Sequence, residues 1–190
     1  PVGKWIIQNA FSMCTECRKY YPEFRVSINL SYVQILKSPL MMELKQMIEH
    51  SGISCSGIIV ELTESGYLEG TPAVRSVWND MKQLRIQIAL DDFGTGYSNL
   101  MNISNLEPDI VKLDRGFTLK ALSRSYEYQL MQYVIEMVHK LNQYVCVEGV
   151  ETKEDLEKIK ALGPDLIQGY YYSKPCSRDE VLKKFFGYSE

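Results

Sequence analysis

Asp91-Asp92-Phe93-Gly94-Thr95-Gly96-Tyr97-Ser98-Asn99-Leu100 follows the apolar run Ile86 to Leu90. That run reads as a short buried strand bounded by a turn. Two adjacent carboxylates stand where the strand is expected to stop. Strict alternation would send them to opposite faces; a chain leaving the strand lets both converge. Side-by-side carboxylates repel unless a cation or proton lies between them, and an oxygen-only cluster suits Mg²⁺, Mn²⁺ or Ca²⁺. Gly94 and Gly96 allow backbone angles closed to other residues and a close approach by a ligand. An acidic surface turn is the competing reading.

Outward from this stretch, short apolar runs and helical patterns alternate. Expected strands are Phe24 to Leu30, Gly57 to Leu62, Ile86 to Leu90, Asp109 to Leu113, Tyr144 to Val147 and Leu166 to Tyr170. Expected helices are Val2 to Tyr20 (ended by Pro22), Pro39 to His50, Thr71-Pro72 to Arg85, a short piece over Ser98 to Asn105, Glu127 to Leu141, one after Thr152, and Asp179 to Phe186. Ser31, Thr71 and Thr152 are expected caps, with Pro72 at the first helical position. Strands apolar on both faces and separated by helices predict a parallel sheet covered by helices, in one domain over 1–190.

Composition narrows the function. A net charge of −3 without a Lys/Arg block argues against binding to duplex nucleic acid. No apolar run reaches the roughly 20 residues of a membrane span. No signal peptide is read at the abrupt start Pro1-Val2-Gly3-Lys4-Trp5. The five cysteines are scattered; Cys14-x-x-Cys17 has no matching second pair and lies in a helical pattern, so it reads as structural. A reducing, cytoplasmic setting is expected, for this chain or for the cytoplasmic part of a larger, membrane-anchored protein.

All six expected strands end in polar residues: Asn29 with Ser31, Glu61 with Glu64, Asp91-Asp92, Lys112 with Asp114, Glu148 with Glu151, and Gln168. In a barrel of alternating strands and helices these ends share one rim, where active sites sit. The rim would hold carboxylates and amides for metals, a lysine, and acids for proton transfer.

The motifs Ser27-Ile28-Asn29-Leu30-Ser31, Glu61-Leu62-Thr63-Glu64, Asp91-Asp92-Phe93-Gly94-Thr95-Gly96-Tyr97-Ser98, Lys112-Leu113-Asp114, Glu148-Gly149-Val150-Glu151 and Gln168-Gly169-Tyr170 resemble, in order, those of EAL domains. These are bacterial phosphodiesterases of the second messenger cyclic di-GMP. The resemblance implies a modified (β/α)8 TIM barrel and hydrolysis to the linear dinucleotide pGpG with two Mg²⁺ or Mn²⁺ ions. It implies Asn29, Glu61 and Asp91 as ligands of the first ion, with Asp91 shared and Asp92 serving the second. Lys112 matches the lysine at the attacking water, and Glu148 an acid that is metal ligand or general base. Gln168 matches a rim residue at the metal-water shell, and Glu64 the acid holding the loop from Phe93 to Ser98. Gly94, Thr95 and Gly96 of that loop, with Asp114 and Glu151, match substrate or loop support.

Two features depart from the family. The Glu-Ala-Leu motif, whose Glu is a ligand of the first ion, is absent. About six of the eight strands are present, so the expectation is an incomplete barrel lacking its first two strands, one first-site ligand and much of its activity. Val147 stands where the family usually has Ala, a mild change. The open sheet edges predict a homodimer, and linkage to other signalling domains is expected. Two alternatives stand beside the enzyme: an EAL-like receptor or protein-interaction module that does not hydrolyse cyclic di-GMP, and an unrelated barrel enzyme acting on a sugar phosphate.

Overall fold

A computed structural model describes residues 2–31, 34, 40–63, 72–95, 103 and 106–187. The expected roles of Glu64, Gly96 and Thr71, and most of the helical piece expected over Ser98 to Asn105, lie outside the described residues. The chain divides into two compact units. One comprises Pro1–Glu61, Glu69–Ile88 and Pro175–Glu190, the other Leu62–Leu68 and Ala89–Lys174.

The first unit holds α1 (Val2–Cys17), β1 (Val26–Asn29), α2 (Leu40–Ser51), α3 (Pro72–Gln83) and α7 (Arg178–Phe186), with most of β2 (Ile58–Thr63). β1 and β2 pair in parallel, Val26 opposite Ile58 and Asn29 opposite Glu61. Branched residues suit this pleated surface, and Ile28, Ile58, Ile59 and Val60 are buried. α1 turns Ile7, Phe11 and Cys14 inward at helical spacing and packs on α2 and β1. It ends three residues earlier than expected, because Tyr20 and Tyr21 both donate backbone N–H groups to Cys17 O at 3.0 and 2.9 Å, closing a turn. Cys14 and Cys17 are fully buried, and burial is the main cause that raises both thiols above the usual range. Such thiols are core residues, the opposite of a reactive thiolate pair.

The second unit carries β3 (Gln87–Phe93, from Ala89 onward), β4 (Ile110–Leu113), α4 (Arg115–Ser123), α5 (Ser125–Lys140), β5 (Tyr144–Glu148), α6 (Lys153–Lys160) and β6 (Leu166–Gln168). β3, β4, β5 and β6 pair in parallel in that order. The parallel, helix-covered arrangement expected from the alternation is therefore present within each unit. α5 buries Met131, Ile135 and Val138 along one face and packs on α4 and β5. Thr152 caps α6 as expected: Thr152 Oγ1 accepts from Asp155 N at 3.1 Å, and Asp155 Oδ2 accepts from Thr152 N at 3.0 Å.

Two further features differ from the sequence reading. α4 fills a stretch where no element was expected. Asp114 starts it, its Oδ1 accepting from Gly116 N at 2.7 Å, and Phe117 and Ala121 anchor it one turn apart in the core. The second difference is in β3, which runs on through Asp91 and Asp92 to Phe93 instead of stopping at Leu90. Among the described residues, no helix is long and apolar enough to cross a membrane.

Candidate active site

The continuation of β3 is irregular, and the irregularity creates the site. Leu90 lies opposite Val111, but the next paired residue on β3 is Phe93, opposite Leu113. Three steps on β3 therefore match two on β4. This is a bulge, in which two residues stand against one on the partner strand. The two are Asp91 and Asp92, and the one is Lys112. Asp92 takes the extra residue's strain at φ 61°, a left-handed conformation that aspartate tolerates better than most residues. Both residues are thus brought to the register position of one lysine, which a regular strand would not do.

Lys112 is buried at 5 % exposure on a strand with no exposed residue. A buried ammonium needs partners, and it has them. Its Nζ lies 3.0 Å from Asp91 Oδ1 and 2.7 Å from Glu148 Oε1, the last residue of β5. Asp91 Oδ1 is closed to solvent and meets no well-angled hydrogen bond, so its compensation from Lys112 is Coulombic. One positive charge lies between Asp91 and Glu148, and Asp92 is the next residue on the bulge, so carboxylates outnumber the lysine here.

That balance fits a hard divalent cation, because the acidic donors are all carboxylate oxygens and one is buried without a hydrogen bond. Among the described residues, no three acidic, His or Cys side chains are gathered around a cation position. Lys112 Nζ already bridges Asp91 and Glu148, so a cation would share or take over their oxygens.

The other expected residues fall as follows. In the first unit Asn29, the last residue of β1, is the register partner of Glu61, which lies inside β2 two residues before its end; Glu61 is buried and Asn29 exposed. In the second, Gln168 ends β6 opposite Glu148 and is exposed. Gly94 (φ 103°) presses on Phe117, whose Cδ1 would lie 2.9 Å from an added Cβ, so glycine is required there. Thr95 Oγ1 donates to Asp92 O at 3.1 Å, bracing the bulge. Asp114 is occupied as the α4 cap, and its N donates to Phe93 O at 3.0 Å. Glu151 accepts from Arg115, a residue that sequence reading missed; its place directly after the Asp114 cap was the available signal. A cavity of about 680 Å³ lies elsewhere, lined mainly by α1 and α2 residues including Gln8, Thr15, Glu43 and Gln46. Its lining contains none of the strand-end residues.

A family model described as the EAL domain matches residues 1–175. Cyclic di-GMP phosphodiesterase PdeF of Escherichia coli strain K12 is 30% identical over 183 residues, 96% of this chain and 24% of its own length. Among solved structures, the EAL enzyme Bd1971 in its cAMP- and cyclic-di-GMP-bound form has a TM-score of 0.91 at 28% identity, over 97% of this chain and 51% of that one. A manganese and cyclic di-GMP complex of Klebsiella pneumoniae BlrP1 has a TM-score of 0.81 at 24% identity, over 93% of this chain and 45% of that one. The chain spans about a quarter of the length of the curated relatives it matches.

Proposed function

Because the chain belongs to the EAL domain family, we propose that it is a single EAL domain that hydrolyses cyclic di-GMP to linear pGpG, using Mg²⁺ or Mn²⁺. The observation that carries this reading is the bulge that sets Asp91 and Asp92 opposite Lys112, with Glu148 2.7 Å from the same lysine. A phosphodiester is an anion attacked by water, so its hydrolysis needs positive charge at phosphorus and a base for the water's proton. This cluster offers both kinds of group.

Lys112 pairs with Glu148 and orients it, so the carboxylate can accept a proton from the attacking water while the ammonium donates to that water's oxygen. The water oxygen bonds to phosphorus, the phosphorus–O3′ bond breaks, and the leaving oxygen takes a proton from solvent. Of the ligands that the resemblance implies, Asp91 and Asp92 stand together on the bulge, and Asn29 and Glu61 stand side by side on their own strands. Two bound cations would supply phosphate charge neutralisation and a more acidic water. Gln168, exposed beside Glu148, is suited to orient solvent at the edge of the cluster.

Asp91→Asn tests the reading. It keeps the side chain's shape but removes the charge shared with Lys112. In the full-length protein with Mg²⁺ the expected outcome is loss of linear product, with the far-UV circular dichroism spectrum unchanged. Turnover at the unaltered rate would refute the assignment.

A further inference from the structure

β4 and β5 run side by side, with Lys112 opposite Cys146 and Leu113 opposite Val147. Lys112 and Glu148 therefore meet near the exits of two strands, and the chain leaves those strands in different ways. After β4 it enters α4 at once through the Asp114 cap, so Arg115 is the first helical residue. After β5 it turns through Gly149 in a left-handed conformation (φ 77°), then runs through Val150 to Glu151.

Arg115 crosses from one exit to the other. Its Nε and Nη2 both donate to Glu151 Oε1, at 3.2 and 2.7 Å. The stem of the arginine lies on the Gly149 backbone: an added Cβ there would collide with Arg115 Cγ and come within 2.9 Å of its Cβ. On the far side, Val150 N donates to Gln168 O at 3.3 Å, and Val150 O accepts from Tyr171 N at 3.0 Å. The turn that begins directly after Glu148 is thus held by Arg115 on one side and by the β6 exit on the other.

We infer that Arg115 is a positioning residue: with Glu151 it forms a clasp over Gly149 that fixes the Glu148 carboxylate against Lys112. The inference rests on the phosphodiesterase reading for its kinetic consequence and not for its geometry. Arg115 and Glu151 are 57 and 38 % exposed at the side chain, and an exposed pair of this kind contributes little to global stability. Its effect belongs in the placement of Glu148. Small displacements of a catalytic group are costly to turnover.

The test uses Arg115→Ala, Glu151→Ala and the exchanged pair Arg115→Glu with Glu151→Arg, each in the full-length protein. Expected for either single variant is a fall in kcat of about 10-fold with KM within about 2-fold, and an unchanged melting temperature. The exchanged pair should recover most of the loss. Unchanged kcat, a loss carried by KM, or no recovery in the exchanged pair would overturn the inference. Amide hydrogen exchange at Gly149 to Glu151 gives a readout independent of turnover: faster exchange in Arg115→Ala supports the clasp, and an unchanged rate overturns it. If the unaltered protein does not hydrolyse cyclic di-GMP, the functional reading falls while the exchange result still decides the clasp. Should Arg115→Ala lower the melting temperature, Arg115→Lys keeps the stem over Gly149 and loses the two-nitrogen grip, and the same two outcomes apply to it.

Discussion

β4 and β6 lie in the same compact unit, are both short, and both carry at or near their ends a polar residue that the sequence marks for the active rim. Their surroundings are opposite. Every residue of β4 is buried, between β3 and β5. On β6, Leu166 is 39 % exposed and Gln168 is exposed, and among the described residues its one strand partner is β5. A charge on the flanked strand has to be compensated by protein groups, which is why Lys112 gathers Asp91 and Glu148. A polar group on the outer strand is compensated by water and needs no such cluster. Flanking on both sides thus turns a strand-end residue into a member of a tight constellation.

The most severe way to break this contrast is to remove the central charge. Lys112→Met should leave Asp91 and Glu148 facing an apolar side chain, at a cost of about 3–5 kcal/mol in unfolding free energy. Gln168→Met should stay within about 0.5 kcal/mol, as expected of a substitution away from the core. Urea unfolding of the two variants measures both; similar midpoints would erase the distinction.

A milder comparison uses apolar residues. Leu113→Ala removes a fully buried side chain and should cost about 3 kcal/mol. Leu166→Ala should cost no more than about 0.5 kcal/mol if β6 faces solvent. A proposed homodimer that covers the β6 edge changes this second number: Leu166→Ala would then be costly, and the cost would depend on protein concentration. Unfolding across a dilution series separates the two.

Much of this architecture was legible beforehand. The six strands were visible as short branched-chain runs, and their observed bounds differ from the expected ones by a few residues at most. Thr152 was readable as a cap because Asp155 stands where a capping box needs an acid. α4 was not legible because its apolar anchors are few: Phe117, Thr118 and Ala121 are its buried residues, too sparse for a periodic signal. The joint facing of Asp91 and Asp92 was open in the sequence, since alternation and chain exit gave different answers. Register sets both residues against Lys112, and register depends on β4, more than fifteen residues further along the chain. The Arg115–Glu151 contact was invisible for the same reason, its partners being 36 residues apart.

The bulge in β3 has a consequence for how such a domain can change over generations. It is one residue in excess of a regular ladder, and that residue is an aspartate held in a conformation suited to glycine. Deleting Asp92 would let Phe93 follow Asp91 in ordinary register, relieve the left-handed backbone, and keep the hydrophobic pairings with Val111 and Leu113. The sheet would be more regular and the twin carboxylate gone. A lineage could therefore lose the chemistry proposed for this cluster through a single in-frame codon deletion and retain the whole scaffold, ready to be reused for recognition. The return journey would require inserting one aspartate at one position, against the local preference of the backbone.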